Sequence, residues 1–154
     1  MLRKRIPTVL IVLLALCLTL AIAVSAFAAP GDALRRTTTL WGANEVPGPG
    51  DPDGSGEATI KINMSRHTLC YKLVVRGIAP ATAAHIHVGD TTVAGPVVVP
   101  LGAPTDGRSS GCIQNMDPTL LRAILRSPRD YYVNVHNDDY TAGALRGQLH
   151  HPGN

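Results

Sequence analysis

Ala58-Thr59-Ile60-Lys61-Ile62-Asn63-Met64-Ser65-Arg66-His67-Thr68-Leu69-Cys70-Tyr71-Lys72-Leu73-Val74-Val75 is the stretch that decides the fold. Ala58, Ile60 and Ile62 alternate with Thr59, Lys61 and Asn63, the period-two pattern of a half-buried strand. Met64 to His67 is a tight connection, after which Leu69, Tyr71, Leu73 and Val75 take one face against Cys70, Lys72 and Val74. Two alternating runs joined by four polar or turn residues predict an antiparallel hairpin.

The same period recurs on both sides. Thr37 to Trp41 is β-branched and ends in the single Trp, and residues 42–56 form a Gly- and Pro-rich loop. Beyond the hairpin come Ala84-His85-Ile86-His87-Val88, Val97 to Leu101, Tyr131 to His136 and Ala144 to His150. One helix is predicted: Asp117 is a good N-cap, Pro118 suits the first helical position, and Leu120, Leu121, Ile124 and Leu125 recur at helical spacing before Pro128. Seven or so short strands, one short helix and Gly/Pro-rich loops predict an all-β fold, an antiparallel Greek-key β-sandwich.

The N-terminus reads as an export signal. Arg3, Lys4 and Arg5 precede an apolar run from Val9 to Val24, and Ala26 and Ala28 supply the small residues of a cleavage site. The expected organisation is a signal peptide over 1–29, a linker over 30–36, a domain over 37–150 and a tail over 151–154. An uncleaved signal would instead anchor the chain to a membrane. Secreted, periplasmic or cell-surface localisation is expected.

Apolar residues make up 45% of the 154-residue chain and charged residues 16%, which excludes a disordered chain. The net charge of +3 comes from the three leader cations; beyond them 11 Lys and Arg face 11 Asp and Glu. No basic run with interleaved aromatics follows, so nucleic acid is not an expected partner. Cys17 leaves with the signal, and Cys70 and Cys112 remain as a pair in an oxidising compartment. One disulfide is expected, closing a loop of about 40 residues and worth roughly 3–4 kcal/mol in the chain-entropy model. Two separate buried thiols are the competing reading.

His85-Ile86-His87 carries the chemistry. Residues i and i+2 on a strand project from one face, so both imidazoles point outward while Ile86 points to the core. His136 lies on the polar face of another strand, and three imidazoles favour copper, then zinc, over calcium or magnesium. The plainer reading is that these histidines only stabilise loops. Arg146, on the polar face of the next strand, is a candidate anion guide; its plainer role is a surface pair with Asp138 or Asp139. No catalytic residue is assigned.

Weaker signals are read as structure. Asp51-Pro52-Asp53-Gly54-Ser55-Gly56 imitates an EF-hand loop, but Ile62 stands where a bidentate Glu belongs. Gly107-Arg108-Ser109-Ser110-Gly111 fits a nucleophile elbow, which needs a strand-to-helix turn on a parallel sheet. His67 is a turn residue, His150-His151 a tail, Asn63-Met64-Ser65 a sequon in form, and Arg35-Arg36 a solvated linker.

Leu40-Trp41-Gly42-Ala43-Asn44-Glu45-Val46-Pro47, Gly54-Ser55-Gly56-Glu57-Ala58, Ala84-His85-Ile86-His87-Val88-Gly89, Gly95-Pro96-Val97-Val98 and the run from Tyr131-Tyr132-Val133-Asn134-Val135-His136 to Gly143-Ala144-Leu145-Arg146-Gly147-Gln148-Leu149 resemble the CHRD domain. That domain, named for chordin, is common in exported microbial proteins, and the resemblance implies no general biochemical activity. A fainter similarity is to Cu,Zn superoxide dismutase. His85 and His87 resemble that family's first two copper ligands, His136 its last, and Arg146 its anion-guiding arginine. Val97 stands where the bridging histidine belongs, and no zinc ligand set follows. Dismutation is therefore the only enzymatic candidate, and copper storage, delivery or weak redox activity is the expected function. A non-catalytic adhesion or protein-interaction module is the alternative.

Overall fold

The computed structural model describes residues 34–151. The expected signal peptide, the linker residues before Leu34 and the tail from 152 lie outside the described residues. Eight strands and one α-helix follow in order: β1 Leu34–Trp41, β2 Ser55–Asn63, β3 Thr68–Arg76, β4 Ala81–Val88, β5 Val97–Leu101, β6 Arg108–Ile113, α1 Pro118–Arg126, β7 Tyr131–Asn137 and β8 Leu145–Gln148.

The quoted hairpin is β2–β3, antiparallel, with Ile60 opposite Tyr71 and Lys61 opposite Cys70. Its turn places His67 at φ 49°, and the Asn63 side-chain oxygen accepts from the Ser65 hydroxyl and the Arg66 N–H. Helix α1 starts as expected: the Asp117 carboxylate accepts the Thr119 N–H at 2.8 Å, and Pro118 needs no N–H partner there. Its buried residues, Leu121, Ile124 and Leu125, fall on one face.

All strand pairs are antiparallel and form one eight-stranded sheet, ordered β5-β4-β7-β8-β1-β2-β3-β6. The expected all-β, antiparallel architecture with one helix is present, its eight strands hydrogen-bonded into one nearly closed sheet. Chain geometry explains why that sheet is nearly closed. Strands β5 and β6 occupy its two edges, about 34 Å apart if the sheet were flat, at roughly 4.8 Å per strand. The loop between Leu101 and Arg108 reaches about 25 Å when fully extended. The sheet must therefore roll until its edges approach, and the Ser109 hydroxyl donates to the Gly102 carbonyl across that gap at 2.7 Å. The β1–β8 seam is thin: Trp41 pairs with Arg146, and Thr37 forms an isolated bridge with His150. At this seam a Cβ on Gly147 would overlap the Thr39 carbonyl, so only glycine permits the approach.

Rolling encloses the inward residues of both halves. Leu40, Ile60, Leu73, Ile86, Val133 and Leu145 are fully buried, as are Val135 and Leu149. Each such side chain contributes roughly 1.5–3 kcal/mol of hydrophobic stabilisation, an upper figure. Cys70 and Cys112 sit directly opposite on β3 and β6 and are disulfide-bonded. Among the described residues no helix is long and apolar enough to cross a membrane.

Three expectations are corrected. The first strand begins at Leu34, so 34–36 is sheet rather than linker, and Arg36 is buried rather than solvated. Its guanidinium donates to the Leu125 carbonyl at 2.6 Å, at the C-terminal end of α1, where a cation is attracted to the negative end of the helix dipole. Strand β6 was not anticipated; it takes in Arg108 to Gly111, so the nucleophile-elbow pattern lies on an antiparallel edge strand.

Candidate metal centre

Strands β4 and β7 are hydrogen-bonded neighbours, with His85 opposite Asn134, His87 opposite Tyr132 and Ala83 opposite His136. His136 is thus the diagonal neighbour of His85 on the same outward face, within reach of long side chains. Ile86, Val133 and Val135 lie beneath, all fully buried. The three imidazoles converge: one ring nitrogen from each lies within 4.8 Å of the others. His85 Nδ1 and His136 Nε2 are 3.3 Å apart. Two nitrogens bound at 2.0–2.1 Å to one tetrahedral ion stand about 3.3 Å apart.

Backbone carbonyls set the tautomers. His87 Nδ1 lies 2.8 Å from the Gly95 carbonyl oxygen, and His136 Nδ1 lies 3.0 Å from that of Thr141. A carbonyl only accepts, so both Nδ1 atoms carry the proton and both Nε2 atoms present lone pairs. His87 Nε2 is buried without a hydrogen-bond partner. Burial of the rings pushes all three imidazoles below the usual histidine value. The other histidines add repulsion at His85, and Arg146 at His87, while the Gly95 bond opposes the shift there. At His136 the Thr141 bond opposes it and His87 adds to it. All three are held neutral, the form that binds a metal.

A stacked group backs the site. The His87 ring lies against Tyr132, centroids 4.8 Å apart and 12° from parallel. Strand β7 lies between β4 and β8, so Arg146 reaches Tyr132 from the other side, its guanidinium 3.5 Å from the ring centroid. The Gly95 N–H donates to the Tyr132 hydroxyl at 3.0 Å, tying the stack to the loop that holds His87.

Arg146 lies on the outward face, as the alternation placed it, but it is not open to solvent. It is 1% exposed, covered by the loop after β4, and donates to the carbonyls of Asp90 and Val93 rather than to Asp138 or Asp139. Beside it lies a carboxyl that the sequence did not single out. Glu45 is buried, and its oxygens accept from Asn134 Nδ2 at 2.7 and 2.9 Å. Burial pushes its pKa up to about 7, against the Asn134 bond, the Arg146 charge and the Val46 N–H. Gly143, at φ 151°, packs on this carboxylate, and a Cβ there would overlap it. Asn134 was legible as the outward residue between Tyr132 and His136; Glu45, in a Gly/Pro-rich loop, gave no periodic signal.

The remaining candidates stay apart. Among the described residues, the three histidines are the one such group of possible ligands, and His67 and His150 are outside it. The EF-hand-like stretch is a turn in which Asp51 accepts the Asp53 N–H at 3.1 Å, and Ile62 is core.

A rolled antiparallel sheet, bridged by one disulfide and carrying histidines on an outward strand pair, defines a small disulfide-bonded β domain. The chain belongs to the CHRD domain family, whose model matches residues 36–149. No curated protein and no solved structure matches the chain. Family and disulfide are consistent with an extracellular protein.

Proposed function

We propose that this CHRD-domain protein binds one copper ion, with zinc the second choice, through His85, His87 and His136, and that it stores or delivers copper outside the cytoplasm. The observation that carries the reading is the buried His87 Nε2, left without a partner beside two further imidazoles. Buried nitrogen atoms are rarely left unpaired, and an ion there would relieve the cost. His87 and His136 are held by carbonyls at Nδ1, the arrangement that orients metal-bound histidines. His85 would carry its single proton on Nε2 rather than share it with His136 from Nδ1, so it would bind as a neutral imidazole. Copper, when bound, would supply a one-electron couple. The four-plus-four division of the sheet at the thin β1–β8 seam supports the β-sandwich description of the fold.

The residues argue against fast dismutation. Val97, paired with His87, is about half exposed and has no ligand atom to bridge a second metal. Arg146 is buried under the β4–β5 loop, where a small anion meets no open guanidinium.

The test is the metal content of tag-free protein and its titration with copper and zinc. One copper per chain is expected, weakened at least about tenfold in His85→Ala/His87→Ala and retained in the exposed control His67→Ala. Equal uptake by the double variant, with its melting curve unchanged, would overturn the reading.

A further inference from the structure

The formal neutrality of the domain conceals a segregation of charge. On the outward face of β1, β2, β3 and β6, the strand registers place Arg35 beside Lys61, Lys72 one row further on, then Arg108, then Arg76. All five are exposed, and Glu57 is the one carboxylate on these strands. The grid spans about 20 Å along the strands and about 14 Å across them. Two cations directly opposite on adjacent strands destabilise a sheet, yet Arg35 faces Lys61 with no acid in its row.

This face is not flat. A groove of about 520 Å³ runs over Arg35, Lys61, Lys72, Thr59 and Ser110 as far as Glu57 and Val74. A second hollow, about 220 Å³, continues from Glu57 and Val74 to Arg76 and Trp41. Trp41 is 50% exposed although it is the largest apolar side chain on these strands. A half-exposed indole at the end of a cationic groove offers a stacking surface to a ligand.

We infer that this groove binds an anionic polysaccharide, its carboxylate or sulfate groups lying along Arg35, Lys61, Lys72 and Arg76 and one sugar ring stacking on Trp41. The charge pattern selects a polyanion, because neutralising several clustered cations at once releases their counterions and screens their mutual repulsion. The single stacking residue selects sugar over single-stranded nucleic acid, whose successive bases need successive aromatics. Threonine and serine hydroxyls between the cations suit a hydroxyl-rich chain. The groove lies on the half of the sheet away from the histidines, so the inference is independent of metal binding, and it gives the adhesion reading a ligand class.

The test uses the purified, chelator-treated protein against immobilised heparin and immobilised alginate, with duplex DNA and phosphatidylserine vesicles in parallel. Retention on at least one polysaccharide at about 50 mM salt and release by about 500 mM are expected. The heparin and alginate arms separate sulfate from carboxylate recognition. Lys61→Ser/Lys72→Ser, both exposed, should weaken retention at least tenfold with an unchanged melting curve. Trp41→Ala should weaken it without altering its salt dependence, and Glu57→Gln should strengthen it. DNA or vesicles bound as tightly as the polysaccharides, or binding indifferent to Trp41→Ala, would overturn the inference.

Discussion

The guanidinium of Arg146 lies 3.5 Å from the centre of the Tyr132 ring, and Tyr132 in turn backs His87. A buried cation held by carbonyls and an aromatic face is a positioning element, and its removal takes the donor from the Val93 carbonyl and leaves the Asp90 carbonyl with only the Val93 N–H. Arg146→Met should therefore cost about 2–4 kcal/mol in denaturant unfolding, the range for charged hydrogen bonds lost from a buried site. Copper affinity should also fall. Arg146→Lys should recover little, because an ammonium neither forks to two carbonyls nor stacks as a plane. A Met variant with wild-type stability would show that the loop holds itself.

The Cys70–Cys112 bridge joins directly opposed residues on β3 and edge strand β6, across a sequence separation of 42. Removing it frees that loop in the unfolded chain, at a cost of roughly 2–4 kcal/mol. For a domain of this size that lowers the melting temperature by about ten degrees. Non-reduced mass spectrometry should find no free thiol at either position. A melting curve insensitive to reductant would mean that β6 is held by its ladder alone.

The histidine cluster was legible because its placement needs only the two-residue period and the pairing of β4 with β7. The fate of Arg146 was not: alternation gives the direction of a side chain and says nothing about a loop folding over it. Arg36 was misread for a related reason, since an inward arginine is tolerable only where a distant carbonyl, that of Leu125, meets it. Strand β6 carries Gly111 and two serines in place of an apolar rhythm, so its pairing with β3 left little trace. The basic groove depends on the register of four strands, which a charge count averages away.

Copper-loaded protein should dismutate superoxide far below the diffusion limit of about 10⁸–10⁹ M⁻¹s⁻¹. Val97 pairs with His87 but offers no nitrogen, so no second metal is linked to the first through a shared imidazole. Pulse radiolysis of the copper form reads this directly. Turnover approaching the limit would contradict it and would move the protein from storage or delivery to catalysis.

Glu45 sets a pH dependence whose sign can be worked out. Its carboxyl titrates near 7 in the folded chain because burial disfavours the charged form, and near 4.5 in the reference state. Between those values the folded state holds the extra proton, so this group's contribution is fully present below about pH 4.5 and is lost as pH rises through 7. The lowered histidine values act oppositely, favouring the folded state as pH rises through the reference value of 6.5. Comparing Glu45→Gln with wild type in chelator cancels the histidine part, since both proteins carry it. Gln keeps an oxygen that accepts from Asn134 and never ionises. The variant should therefore gain on wild type by about 1–3 kcal/mol between pH 5 and pH 8, because a tenfold change in proton affinity corresponds to roughly 1.4 kcal/mol and partial solvent access reduces the sum. Urea midpoints at the two pH values measure the gain. A difference that stays constant, or that shrinks toward pH 8, would show that Arg146 keeps the Glu45 carboxylate charged at neutral pH.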